Sequence, residues 1–199
     1  STRGADYILI TAKELLPAVQ PLVEQRQQAG LRVAAVTVEE IFAEFGFGLP
    51  TPTAIKEFLR YAYEHWQSPA PTSVLLVGDS NLDYKGYLGG KKYNFIPAYM
   101  IPTIYSIAPT DNWFVSIVGE DELPEMQIGR LPGSELEKVK MLVDKILHYE
   151  NYPQDYRRLL LVADNDNSFE EASEAVVKYI PTDLTLDKLY LGTYASDQQ

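Results

Sequence analysis

Val74-Leu-Leu-Val-Gly-Asp79 decides the fold: four consecutive apolar, strand-forming residues closed by a Gly-Asp turn. A strand this short with no polar residue on either face belongs inside a parallel sheet covered on both sides, because a half-exposed strand alternates instead. Upstream, Tyr7-Ile-Leu-Ile10 repeats the pattern and leads into Leu15, Leu16, Val19, Leu22 and Val23, whose spacing predicts a helix ending at Gly30. Leu31–Val38 reads as the next strand and Glu39–Phe45 as a short helix. A further helix is expected from about Thr53, with Ile55, Phe58, Leu59 and Tyr63 on one face. Strands alternating with helices make the class α/β: a three-layer, flavodoxin-like arrangement with a mostly parallel sheet flanked by helices.

Downstream of Asp79 the chain is rich in Gly, Tyr, Lys and Pro as far as Pro109, which reads as a long surface excursion with one short strand at Asn94–Pro97. Asp111–Val118 alternates enough to predict a strand, followed by another at Glu125–Gly129 and a turn over Arg130–Gly133. Ser134 and Glu137 have the spacing of a capping box, opening a helix whose stripe is Leu136, Val139, Leu142, Val143, Ile146 and Leu147. Leu159–Val162 predicts a second buried strand, followed by the acidic run Ala163-Asp-Asn-Asp-Asn167 and a helix over Phe169–Tyr179. A boundary near residues 150–158 divides the chain into a first unit, 1–152, and the start of a second, 153–199.

Composition narrows the function. With 17 Lys and Arg against 28 Asp and Glu the net charge is −11, which repels phosphate backbones and excludes nucleic acid as the main partner. No apolar run is long enough for a membrane span. Cysteine is absent and there are two histidines, His65 and His148, so a disulfide framework and a cysteine-ligated metal are excluded. No Gly-x-x-x-x-Gly-Lys-Ser/Thr or Gly-x-Gly-x-x-Gly occurs between strand and helix, and nucleotide binding has no support.

Val74–Asp79, Thr110-Asp111, Ile117-Val-Gly-Glu-Asp121, Ile128-Gly-Arg130 and His148-Tyr-Glu150, taken in order, resemble the gingipain family of cysteine peptidases within the caspase-like superfamily. The resemblance implies two side-by-side α/β subdomains, a polypeptide substrate, and export to the cell surface or beyond. It places the histidine in a Gly-His-Gly-like turn and the cysteine after the next core strand, both later than the last strand read here. This chain then serves as scaffold and pairs with the remainder of its own catalytic domain. Asp164 falls about where the family carries an acid that orients the catalytic histidine, as a third triad member does. Its alternative role is capping the helix that follows. Arginine-specific members place an acid near the start of that helix, where this chain reads Ser168-Phe169; Asp166 and Glu170 are the available substitutes. Val118-Gly-Glu-Asp-Glu-Leu-Pro-Glu125 resembles a calcium loop of the family. Asp121 and Glu125 would supply side-chain oxygens and Val118 and Leu123 main-chain carbonyls, a mixed oxygen set that Ca²⁺ accepts. Two other readings remain open at this stage: a non-catalytic α/β binding module, and a family relative that performs transpeptidation.

Overall fold

The computed structural model describes residues 4–81, 83, 87, 94–119, 121, 123–152 and 157–194. Two compact units emerge, Ser1–His148 and Tyr149–Gln199.

The first unit is built on four parallel strands, β1 (Tyr7–Thr11), β2 (Val33–Thr37), β3 (Ser73–Val77) and β6 (Gln127–Leu131), in the order β2-β1-β3-β6. Ile8, Leu9 and Ile10 on the central β1 are all fully buried, the outcome anticipated for a strand covered on both faces. The covering elements are α1 (Leu16–Gln28), α2 (Val38–Phe45), α3 (Pro52–His65) and α4 (Leu136–Asn151). Each contributes an apolar stripe: Val19 and Leu22 from α1, Ile55 and Leu59 from α3, Val139 and Val143 from α4. The class is therefore α/β with a parallel sheet flanked by helices, as the apolar runs imply. Strand order reverses between β1 and β3, where open α/β sheets leave a crevice at the carboxyl ends. There the buried Thr11 links the two strand ends, its Oγ1 donating to the Val77 carbonyl at 3.1 Å.

Local departures from the sequence reading have identifiable causes. Strand β2 stops at Thr37 and Val38 already opens α2, because Glu40 Oε2 accepts from both Thr37 N (3.0 Å) and Thr37 Oγ1 (2.7 Å) and so fixes a helix start there. The expected capping box at Ser134 does not form: α4 begins at Leu136, and Ser134 Oγ accepts from Lys138 Nζ instead. Asn94–Pro97 is not a strand, since the Phe95 and Ile96 amides donate to the Asp79 carbonyl rather than to a ladder. The excursion instead pairs β4 (Tyr99–Pro102) with β5 (Ile107–Thr110) as an antiparallel hairpin; its glycine-rich part, Gly86–Gly90, lies outside the described residues. Asp111–Val118 is likewise not a strand. Phe114 and Val115 donate to the Asp111 and Asn112 carbonyls, winding a 3₁₀ turn that buries both side chains. Arg130 and Leu131, expected in a turn, complete β6 and pair with Leu76 and Val77.

Gly78 takes φ +143°, and a Cβ there would stand 2.6 Å from Phe95 Cβ. A glycine is required at the end of β3 for both reasons.

In the second unit β7 (Arg158–Ala163) runs parallel to β8 (Thr185–Tyr190), with α5 (Asn167–Val177) between them in sequence. β7 is not the buried strand its apolar run predicts: Leu160 is 57% and Val162 63% exposed. Alternate residues face α5, and among the described residues nothing of this unit covers the other face. Residues 153–156, inside the expected boundary, lie outside the described set.

Candidate functional site

Three groups of polar side chains stand out: one at the carboxyl end of the first unit's sheet, one in the turn that leads into the amino end of β6, and one past β7 in the second unit. The first centres on Arg130, which β6 places opposite Leu76. Its Nε and Nη2 donate to the two Asp111 oxygens at 2.9 and 2.8 Å, and Nη1 donates to the carbonyls of Gly78 (3.0 Å) and Ile96 (2.9 Å). The side chains are 12% and 27% exposed, so the pair is largely removed from water. One planar guanidinium, which suits bidentate carboxylate binding, thus ties together the end of β3, the returning excursion and the 3₁₀ turn. Asp79 joins the same corner through its backbone: its N–H donates to the Gly133 carbonyl at 3.1 Å, while Oδ1 accepts from Ser80 N at 2.8 Å. Both residues hold loops in place.

The second group is the acidic turn. Glu125 Oε2 accepts from Ile117 N at 2.7 Å and Val118 N at 3.3 Å, and Asp121 Oδ1 accepts from Leu123 N at 3.2 Å. Glu125 Oε1 and Asp121 Oδ2 accept nothing from the described residues. The turn is thereby folded around two carboxylates that each keep one oxygen available, with the Val118 and Leu123 carbonyls in the same loop. These donors fit a hard cation with flexible geometry. Glu120 and Glu122 lie outside the described residues, and among the described residues no three acidic or imidazole side chains form a ready cluster.

The third group lies in the second unit. Asp164 immediately follows β7 and its Oδ1 accepts from Asn165 N at 2.7 Å. It borders an apolar hollow of about 470 Å³ lined by Val162, Ala163, Leu189 and Leu191. Asp166 is the N-cap of α5: Oδ1 accepts from Ser168 N (2.8 Å) and Ser168 Oγ (2.7 Å). The Ser168 hydroxyl and amide hold its pKa below the ordinary carboxylate value. Helix capping therefore falls to Asp166 rather than Asp164. Glu170, one turn on, is half-buried with its carboxylate against Gly192. Glu174 Oε1 accepts from Lys188 Nζ at 2.7 Å and from Tyr190 Oη at 2.8 Å, which fastens α5 to β8.

Asp111 and Arg130 each belong to the segments that carry the family resemblance, but nothing in the order of those segments shows that the two side chains touch. The signal was a lone arginine on an otherwise apolar strand face, where a charge needs a partner.

Against known proteins, the model of peptidase family C25 matches residues 1–199. Gingipain R2 of Porphyromonas gingivalis is 32% identical over 143 residues, 72% of this chain and 16% of the relative. The complex of Porphyromonas gingivalis RgpB pro- and mature domains superposes with TM-score 0.67 at 26% identity, covering 92% of this chain and 41% of that one. The Arg-specific cysteine proteinase gingipain R gives TM-score 0.66 at 25% identity, over 96% and 42%. This chain thus spans about a sixth of the curated relative and about two fifths of the solved chains. A family match running from the first residue to the last, on a scaffold whose parallel strands superpose with solved gingipains, means that the chain belongs to peptidase family C25.

Proposed function

We propose that the protein carrying this chain is a cysteine endopeptidase, and that these residues form its first α/β unit and the opening strands of the unit that does the chemistry. Membership of a cysteine peptidase family supports a polypeptide substrate, and because none of the 199 residues is a cysteine, this reading takes the nucleophile and its imidazole partner from outside them. The observation that carries the reading is Asp164: a carboxylate just past a parallel strand, beside an apolar hollow and relieved of helix capping by Asp166. There it orients the incoming histidine, fixing the tautomer that takes and returns the leaving-group proton. In the full-length peptidase, Asp164→Ala is expected to cut turnover on the order of a hundredfold with KM little changed. Unchanged turnover in a folded variant removes Asp164 from the mechanism. Ser168 takes Asp166 Oδ1, which leaves Glu170 and the second Asp166 oxygen to recognise a basic substrate side chain. Export follows the same family reading.

The acidic turn is the proposed calcium site, held by Asp121, Glu125 and the carbonyls of Val118 and Leu123. A cation bound to the folded state alone must raise its melting temperature. Millimolar Ca²⁺ is expected to stabilise the first unit, and Asp121→Asn with Glu125→Gln to abolish the shift. No heat of binding and no shift in the unaltered chain contradicts the site.

A further inference from the structure

Among the described residues β2 is an edge strand of the first unit's sheet, pairing with β1 alone. In a parallel ladder a residue turns both its N–H and its C=O to one neighbouring strand, and the next residue turns both the other way. The Tyr7 amide donates to the Arg32 carbonyl at 3.1 Å, so Arg32, Ala34 and Val36 face β1 while Val33, Ala35 and Thr37 face away from the sheet. Thr37 N is already taken by Glu40 Oε2 at 3.0 Å. Val33 and Ala35 keep their backbone donors and acceptors without a partner among the described residues, and Ala35 is exposed. Such a row is a template for one more strand.

A cavity of about 460 Å³ follows this edge. Val33, Ala34, Ala35 and Val36 all line it; since side chains alternate between faces, four consecutive residues share a wall only where the backbone edge forms it. Much of the remaining wall is aromatic: Phe45 of α2, Phe58 and Tyr61 of α3, and Trp66 just past α3. Phe58 meets Phe45 and Trp66 edge-on at 5.6 and 5.8 Å, which braces that wall. Glu40 and Glu44, one turn apart on α2, supply its charge. The Thr37 hydroxyl and amide, and to a lesser degree the charge of Lys13, hold the Glu40 pKa below the ordinary carboxylate value. Glu44 is exposed and has neither ion pair nor hydrogen bond among the described residues. No lysine or arginine of the described residues lines the cavity, and Arg32, just ahead of β2, is engaged by Asp6 at 2.7 Å.

We propose that β2 is a docking edge for an extended polypeptide segment, which adds a strand to the sheet, places an apolar or aromatic side chain in this cavity and sets a lysine or arginine two residues away against Glu44 and Glu40. Residues two apart in a strand point to one face, so a stretch of about five residues meets backbone, cavity and charge together. Charge opposes a second copy as the occupant: pairing two β2 edges brings both glutamate pairs together in chains of net charge −11.

The test titrates the 199-residue chain into fluorescein-labelled peptides and follows anisotropy. The probes are Thr-Phe-Thr-Arg-Thr and Thr-Arg-Thr-Phe-Thr, which cover both directions of strand addition. At least one is expected to bind saturably below about 1 mM. Replacing its Phe by Ser should weaken binding at least about tenfold, as loss of a buried aromatic side chain implies. Replacing its Arg by Gln, or Glu44→Lys in the chain, should weaken it about fivefold, the scale of an exposed ion pair. Backbone N-methylation distinguishes strand addition from simple side-chain capture: methyl groups on alternate amides in one phase should cost at least about tenfold, and in the other phase little. Ala35→Pro, which removes an outward N–H and leaves the ladder with β1 its bonds, should act like the harmful phase. No saturable binding of either peptide up to about 1 mM, equal binding of the Ser peptide, equal effects of the two methylation phases, or undiminished binding by folded Glu44→Lys or Ala35→Pro overturns the proposal. Self-association of the chain that Ala35→Pro abolishes, measured by sedimentation, assigns the edge to a second copy and overturns it as well.

Discussion

Arg130→Met should cost the first unit about 2–3 kcal/mol in denaturant unfolding, less than a fully buried ion pair loses when one partner is removed, because the pair is only partly buried. The loss has three parts that the geometry separates. Asp111, 27% exposed, is left with a charge that its surroundings no longer balance. The carbonyls of Gly78 and Ile96 lose their shared donor, and unsatisfied polar groups away from water are expensive. The excursion loses its anchor to the end of β3. Arg130→Lys keeps the charge but not the planar fork, and should recover only a fraction of the stability. A double variant with Asp111→Asn should be less damaged than the sum of the singles, because the orphaned charge is gone. Strict additivity would mean that the two side chains do not depend on each other.

Phe114→Ala is the second large effect, at about 3–5 kcal/mol for a fully buried phenylalanine. The ring is inaccessible to solvent and meets Trp113 edge-on at 5.6 Å and 70°. Its backbone is wound in a 3₁₀ turn tied at its start to Arg130 through Asp111, so collapse around the cavity is restricted. The same substitution at Phe47, which is almost wholly exposed, should be near neutral. Similar losses at the two positions, measured by chemical denaturation, would contradict the burial.

The sequence made the scaffold legible where periodicity and burial coincide. Ile8–Ile10 and Val74–Val77 are apolar because both sheet faces are covered, and Ile55, Phe58, Leu59 and Ala62 repeat at helical spacing because one face of α3 is buried. Asp111–Val118 misled because an alternating pattern reports burial and not conformation: Phe114, Val115 and Ile117 reach the core from a turn and the chain beyond it. β8 was not read as a strand at all, since Asp187 and Lys188 interrupt its apolar residues and bond to Arg158 and Glu174. Leu159–Val162 read as buried because an apolar sequence states what a strand is built to meet, whereas exposure states what it meets here. The site was legible in residue types but not in partnerships. Arg130 reaches across 19, 34 and 52 positions of sequence, and no local pattern encodes such distances. Likewise nothing in the sequence pairs Lys56 with Trp113 or Arg60 with the Ile117 carbonyl; the fold brings them together.

A cysteine peptidase needs a reactive sulfur, and these 199 residues hold none. The decisive measurement is hydrolysis of a reporter peptide by the full-length protein before and after iodoacetamide, beside the 199-residue chain alone. Cleavage by the full-length protein that alkylation abolishes, with none by this cysteine-free chain, is the predicted result. Cleavage by the isolated chain, or full-length activity indifferent to alkylation, would contradict it.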